Sequence, residues 1–293
     1  MTDRFKGIIA PLTTPFLKSG DLDWAGFEAN ITKYVDSPLA GVLALGTTGE
    51  AVHLSDRERV EVVKFVSRLV PENRVFMAGV SYPSVKLAVE FIEQIKHLRI
   101  DALLVSVPSY YKSRMGNEAL TEYFEAVASA SPHPILVYNI PKFSGIELQP
   151  SVVGRLAGHP NIIGMKDSSA NMIFLQHVLR VSQGQDFQVL SGNAETIGLA
   201  MTLGVRAGIL AVGCVVPELM EELDRLGSTG ARSVPGIQPQ LYRISSTVVG
   251  KLSVPGIKYG MDLRGFQGGY CRSPLLPLTA EEKREVAAVL EAV

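Results

Sequence analysis

The chain has 293 residues, 46% of them hydrophobic and 19% charged, a balance that suits a soluble globular enzyme with a sizeable core. Its formal net charge of −1, with basic residues scattered rather than in runs, provides no field to collect nucleic acid or anionic lipid. The 2 cysteines are too few for a disulfide framework, no apolar stretch is long enough to span a bilayer, and the N-terminus Met1-Thr2-Asp3-Arg4-Phe5-Lys6 lacks the apolar core of a signal peptide, so a reducing cytoplasm is expected.

Short β-rich apolar runs recur at 7–12, 41–45, 75–78, 102–105, 135–138, 162–165, 188–190 and 207–212. They are nearly continuous rather than alternating, the pattern of parallel strands covered on both faces. Helical patterns lie between them. Asn30-Ile31-Thr32 matches a glycosylation sequon but reads as part of a helix. Ser55-Asp56-Arg57-Glu58 forms a capping box, followed by Val60, Val63, Val66 and Leu69 at helical spacing, with Pro71 beyond the end. Further helices are predicted over 87–100, 119–130, 150–157, 173–181 and 217–226.

A succession of strand–helix units without a Gly-x-Gly-x-x-Gly after the first strand fits a (β/α)8 TIM barrel of the α/β class better than an open doubly wound sheet. Three more helices are predicted at 238–249, 255–263 and 280–291, the last opened by the capping box Thr279-x-x-Glu282. The expected organisation is a barrel over 1–227 and a C-terminal three-helix extension over 228–293, with no low-complexity linker.

In such barrels the chemistry sits at the C-terminal ends of the strands. Lys166 is there, after Ile162-Ile163-Gly164-Met165 and before Asp167-Ser168-Ser169. It could pair with Asp167 or reach the surface. Alternatively, desolvation favours the neutral amine, a nucleophile toward carbonyl carbon. Gly46-Thr47-Thr48-Gly49-Glu50 could hold a small carboxylate through hydroxyl and backbone donors, or simply feed the next helix. Tyr138 in Tyr138-Asn139-Ile140-Pro141 is either a core tyrosine or a proton carrier for a lysine-bound intermediate. These residues converge on one barrel mouth, which favours the catalytic alternatives. His53, His97, His133, His159 and His177 are isolated and offer no metal-ligand spacing, so no metal is expected. Cys214 and Cys271 read as small hydrophobes, and neither a Ser-His-Asp motif nor a nucleophile elbow is visible.

Gly-Thr-Thr-Gly-Glu at 46–50, Tyr-Asn-Ile-Pro at 138–141 and Gly-Met-Lys-Asp-Ser at 164–168 resemble the dihydrodipicolinate synthase / N-acetylneuraminate lyase family of class I, pyruvate-type aldolases. The resemblance extends over essentially the whole chain, including Ser191-Gly192-Asn193. It implies that Lys166 forms a Schiff base with C2 of a 2-oxo acid and that Tyr138 relays protons with Thr47 and Tyr111, the latter reaching a neighbouring subunit. It further implies that Thr48 holds the pyruvate carboxylate, with Gly49, Phe143, Ser168, Gly192 and Leu210 at substrate-binding positions. The family pattern also implies a homotetramer arranged as a dimer of dimers, and no cofactor.

One position departs from the synthase pattern. Phe143 stands where synthases carry an arginine that grips the carboxylate of aspartate semialdehyde, leaving Lys142 or Arg114 as possible substitutes. The run from His159 to Ser168, Gln185-Asp186-Phe187-Gln188-Val189-Leu190 and Val254-Pro255-Gly256-Ile257-Lys258 are similar to 4-hydroxy-2-oxoglutarate aldolases. Ser131-Pro132-His133-Pro134, the segment from Tyr110-Tyr111 through Arg114-Met115 and Arg272-Ser273-Pro274 are similar to 2-keto-3-deoxygluconate aldolases. The expected activity is a lyase that cleaves or forms a 4-hydroxy-2-oxo acid, giving pyruvate or a glyoxylate-type partner and an aldehyde. Dihydrodipicolinate synthase, N-acetylneuraminate lyase and a catalytically silent 2-oxo-acid-binding barrel are the alternatives. A sugar-phosphate isomerase would need a glycine-rich phosphate site after strands seven and eight, for which Ser191-Gly192-Asn193 and Gly213-Cys214 are thin material.

Overall fold

The computed structural model describes residues 5–228 and 236–291. Eight parallel strands close in chain order into a barrel: β1 Gly7–Pro11, β2 Gly41–Ala44, β3 Val75–Val80, β4 Ala102–Ser106, β5 Ile135–Asn139, β6 Ile162–Asp167, β7 Gln188–Ser191 and β8 Ala207–Ile209. β8 pairs with β1, Ile9 opposite Ile209, so no strand edge is left open.

Alternation along each strand explains the continuous apolar runs. Ile9, Leu43, Met77, Leu104, Leu136 and Leu190 fill the barrel interior. Their neighbours, such as Ile8, Val42, Ala78, Leu103, Val137 and Val189, pack outward beneath the helices. Every position of such a strand is buried, so period-two patterning disappears from the sequence.

The surrounding helices are α1 Trp24–Val35, α2 Asp56–Leu69, α3 Val85–Ile95, α4 Asn117–Ala130, the single turn α5 Pro141–Ser144, α6 Pro150–Leu156, α7 Met172–Val181, α8 Ile197–Thr202 and α9 Pro217–Ser228. α2 starts at the expected capping box, Ser55 and Glu58 each satisfying the other's backbone N–H. Sequence patterning signalled only part of α1 and did not mark α8, whose Ile-Gly-Leu-Ala-Met-Thr has no polar stripe. The predicted helix at 87–100 is instead capped by Ser84 and ends at Ile95.

Beyond the barrel lie α10 Gln238–Ile244, α11 Ser253–Leu263 and α12 Ala280–Leu290. The chain does not stop at Ile244: Ser245–Lys251 continues as a π-helix, a wider winding frequent at functional sites. The first part of the expected extension, 229–235, lies outside the described residues, as do 292–293. No helix among the described residues is long and apolar enough to cross a membrane.

Two features of the barrel matter for the site: where β8 ends, which differs from expectation, and the β5–β6 register. β8 stops at Ile209 rather than 212. Leu210 N–H still bonds Ile9 O at 3.2 Å, but Gly213 N–H then turns back to Leu210 O at 3.0 Å, starting the 3-10 turn Ala211–Cys214. Between β5 and β6 the register shifts: Ile135 opposes Ile162, whereas Leu136 opposes Gly164, skipping Ile163.

Candidate active site

The register shift brings Tyr138 opposite Lys166 across β5 and β6. Both point into the barrel, at 6% and 5% exposure. Lys166 Nζ donates to the Tyr138 hydroxyl at 3.4 Å and lies 4.5 Å from the ring centroid. Among the described residues no carboxylate forms an ion pair with Lys166. Asp167, its neighbour on the strand, faces the other way. There Asn139 Nδ2 donates to Asp167 Oδ1 at 2.8 Å and the Ser169 hydroxyl donates to Oδ2 at 2.9 Å. Burial pushes the Asp167 carboxyl above its ordinary range despite these donors. An Asp167–Lys166 pair is therefore not what occupies this position.

Above Lys166 opens a cavity of about 150 Å³ whose lining includes Thr47, Thr48, Tyr138, Ser168 and Gly192. Thr48 is buried and Thr47 exposed, so the two hydroxyls occupy different depths of the turn after β2. Gly192 is bare of necessity: a Cβ there would come within 2.8 Å of Lys166 Cε and 1.9 Å of Ser168 Oγ. The exposed Lys142 and Phe143 on α5 form the lip, and the lining continues through Glu195 after β7 and Ser245, Val249 and Gly250 of the π-helix. Phe143 is 57% exposed. Lys142 Nζ donates to Gly250 O at 3.0 Å, tying α5 to the π-helix, and lies 5.8 Å from the Phe143 ring centroid.

Two expected substrate-binding residues, Leu210 and Gly49, do not line the cavity. Leu210 is fully buried outside the barrel, and its neighbours Ile209 and Ala211 line the cavity instead; with β8 ending at Ile209, alternation turns Leu210 away. Gly49 shapes the threonine turn without lining the cavity. Thr14 Oγ1 donates to its carbonyl at 2.7 Å, and a Cβ would approach Leu12 O to 2.9 Å. Tyr111 is 71% exposed, packs edge-to-face on Tyr110, and is not part of its own chain's cavity. Of the two cations considered as substitutes at Phe143, Lys142 lines the cavity and Arg114 does not.

Sequence reasoning missed Glu195 and the π-helix. Glu195 was within reach, because it follows Ser191-Gly192-Asn193 at a strand's C-terminal end. Nothing in Ser245-Ser246-Thr247-Val248-Val249-Gly250-Lys251 signals π winding. Also missed was the buried pairing of Glu50 with Lys258, whose nitrogen and oxygen are 2.6 Å apart.

A buried amine beside a phenol, with hydroxyl groups lining the same cavity, is equipped to hold a carbonyl compound and move protons about it. Comparison with known proteins identifies the relatives of this chain. The dihydrodipicolinate synthetase family pattern matches residues 4–293. The 4-hydroxy-tetrahydrodipicolinate synthase of Gluconacetobacter diazotrophicus is 31% identical over 290 residues, covering 99% of this chain and 97% of that protein. The enzyme of the same name from Chelativorans sp. is 31% identical over 292 residues, covering 98% of each. The chloride-inhibited dihydrodipicolinate synthase of Acinetobacter baumannii, solved with pyruvate, superposes with a TM-score of 0.92 at 26% identity, covering 98% of both chains. YagE of E. coli, a prophage protein of the dihydrodipicolinic acid synthase family also solved with pyruvate, superposes with a TM-score of 0.91 at 26% identity and the same coverage. The chain is a lyase of the aldolase type and belongs to the dihydrodipicolinate synthetase family.

Proposed function

We propose that the protein is a Schiff-base aldolase that cleaves, or in reverse forms, a hydroxylated 2-oxo acid. The observation that carries this reading is Lys166 Nζ, buried and 3.4 Å from the Tyr138 hydroxyl at the base of the cavity. The neutral amine attacks C2 of the substrate, and loss of water leaves an iminium that serves as the electron sink. Tyr138, left as a phenolate once its proton has gone to the departing water, takes the proton of the C4 hydroxyl, directly or through water. The C3–C4 bonding pair moves into the iminium, an aldehyde departs, and the enamine is protonated at C3. Water then hydrolyses the new iminium to release pyruvate and the Lys166 amine. Thr48 donates to the substrate carboxylate and Ser168 closes the same side.

On this reading Thr47 belongs to the proton relay together with Tyr111 of a second copy. Tyr111 at 71%, Tyr110 at 81% and Val52 at 76% exposure supply an apolar patch suited to such a contact, and a dimer of dimers in the cytoplasm fits the family pattern.

The aldehyde side meets the Phe143 ring and the Glu195 carboxylate rather than a guanidinium. Phenylalanine cannot grip a carboxylate, and Glu195 accepts hydrogen bonds from hydroxyl groups, so a hydroxylated aldehyde fits better than a second anionic group. A lysine-pathway synthase is the second reading. It is favoured by the names of the relatives and by the Lys142 ammonium on the lip.

Borohydride reduction in the presence of pyruvate tests the covalent step. An adduct on the Lys166 peptide is expected; labelling of a different lysine, or of none, sinks the mechanism. A panel then separates the substrates. Pyruvate release from 2-keto-3-deoxygluconate, 4-hydroxy-2-oxoglutarate and N-acetylneuraminate is compared with condensation of pyruvate and aspartate semialdehyde, and dominance of the condensation selects the second reading.

A further inference from the structure

Lys258 is a second buried lysine, with no part in the chemistry above. It sits on α11 at 2% exposure, and its Nζ donates to Glu50 Oε1 and to the Tyr270 carbonyl, each at 2.6 Å. Glu50 is equally buried. Its other oxygen accepts from Arg272 N–H at 2.9 Å and meets His53 Nδ1 at 3.1 Å. The Phe16 ring lies against both cations, 4.6 Å from Lys258 Nζ and 4.4 Å from the Arg272 guanidinium. Arg272 continues to Glu58 on α2 and to the Gly20 and His53 carbonyls.

A buried ion pair is a poor stabiliser by itself, because desolvating two charges offsets most of their attraction; an apolar pair of similar size often does as well. Its location suggests another use. Glu50 holds the left-handed backbone, φ 53°, which a residue with a side chain adopts only when its surroundings enforce it. Glu50 also closes the threonine turn, its N–H donating to Thr47 O at 3.1 Å. On the opposite side, Ile257 adjoins Lys258, and with Ser253 and Val254 it forms the α11 wall of the cavity. One ion pair therefore joins the turn bearing Thr47 and Thr48 to the helix facing it.

We infer that Glu50 and Lys258 are positioning residues: their buried pair holds the Thr47–Thr48 turn at the depth where it receives the carboxylate of the 2-oxo acid. The pair touches no substrate atom and acts through the threonines. This rests on the aldolase reading for the identity of the ligand, though not for the coupling of the pair to the turn.

The test uses the full-length protein with Lys258→Met, and with Lys258→Met/Glu50→Gln, which leaves no buried charge unpaired. Two quantities are read well below each variant's Tm: hydrogen exchange over residues 46–54, and the pyruvate concentration that half-saturates borohydride trapping on Lys166. Faster exchange over 46–54, with the β5 and β6 peptides unchanged, is expected in both variants. Half-saturation should rise about tenfold to a hundredfold, the worth of one charge-assisted hydrogen bond, while the fully trapped fraction at saturating pyruvate stays the same. The double variant should recover Tm without recovering half-saturation. If it recovers both, the single variant's defect came from an orphaned carboxylate, and the inference is overturned. It is also overturned if the 46–54 segment keeps its protection or if half-saturation does not move. A parent protein that traps no pyruvate refutes the aldolase reading instead, and the exchange measurement then judges the pair alone. Should Lys258→Met fail to fold, the double variant carries the same comparisons.

Discussion

Gly192 leaves room for Lys166: a Cβ on the glycine would stand 2.8 Å from Lys166 Cε, inside any contact that real side chains make. The bare backbone after β7 is thus part of the lysine's geometry. Gly192→Ala is expected to displace the Ser168 hydroxyl, which its Cβ would meet at 1.9 Å, and the amine by a few tenths of an ångström or more. Misplacement on that scale costs on the order of 10²-fold in a reaction that depends on near-attack geometry. Overpacking should also lower stability by about 1–3 kcal/mol. The rate of pyruvate trapping on Lys166, compared with the denaturant midpoint, separates the two effects. Trapping at the parental rate would mean that the lysine adjusts freely.

Tyr138→Phe keeps the ring, which packs in the barrel interior with Leu104 and Leu136, and removes only the hydroxyl that Lys166 reaches. A proton carrier lost in this way should lower kcat by roughly 10²–10⁴-fold with the thermal midpoint nearly unchanged. Parental kcat in the variant would make Tyr138 a core residue and send the search for the proton carrier to Thr47.

Phe143→Arg tests the aldehyde side. Phe143 is more than half exposed at the lip, so the larger side chain can be accommodated without repacking a core. Condensation of pyruvate with aspartate semialdehyde should rise by about tenfold to a hundredfold in kcat/KM, the value of one charged contact, while cleavage of hydroxylated 2-oxo acids falls. Efficient condensation by the parent would instead assign the clamp to Lys142, and Lys142→Met should then abolish it.

Acid stability should depend on Glu58. The Arg272 guanidinium beside it pulls its carboxyl down from the ordinary 4.5 to about 2. A group depressed in the folded state adds stability above its unfolded value and loses it as pH falls toward the folded value. Part of the fall in Tm between about pH 4.5 and pH 2 therefore belongs to this pair, and Glu58→Gln, which preserves the capping box, should make that fall shallower. The effect is modest because the Glu58–Arg272 pair is only partly buried and solvent still screens it. Identical slopes for parent and variant would remove Glu58 from the account.

Much of this protein is legible in its sequence. Continuous apolar runs ending in polar signatures mark the strands, because strands buried on both faces must be apolar throughout, and the capping boxes at Ser55 and Thr279 mark helix starts because they solve a local hydrogen-bonding problem. The location of Lys166, Tyr138 and Thr48 at strand ends follows from the same reading, since parallel strands in a barrel all end at one mouth. Local patterns carry no information about depth, register or partners distant in sequence. That Tyr138 faces Lys166 depends on the chain skipping Ile163 in the β5–β6 ladder; an unshifted ladder would set Tyr138 opposite Met165, whose side chain packs outside the barrel. Leu210 falls outside the site for a related reason, because where a strand ends decides which way its next residue points. Glu50 and Lys258 are 208 positions apart, and only closure of the helical extension over the barrel brings their charges together. The element types were decided locally by hydrophobic period and caps, whereas the pairings that could make a site of them were decided by register and long-range packing.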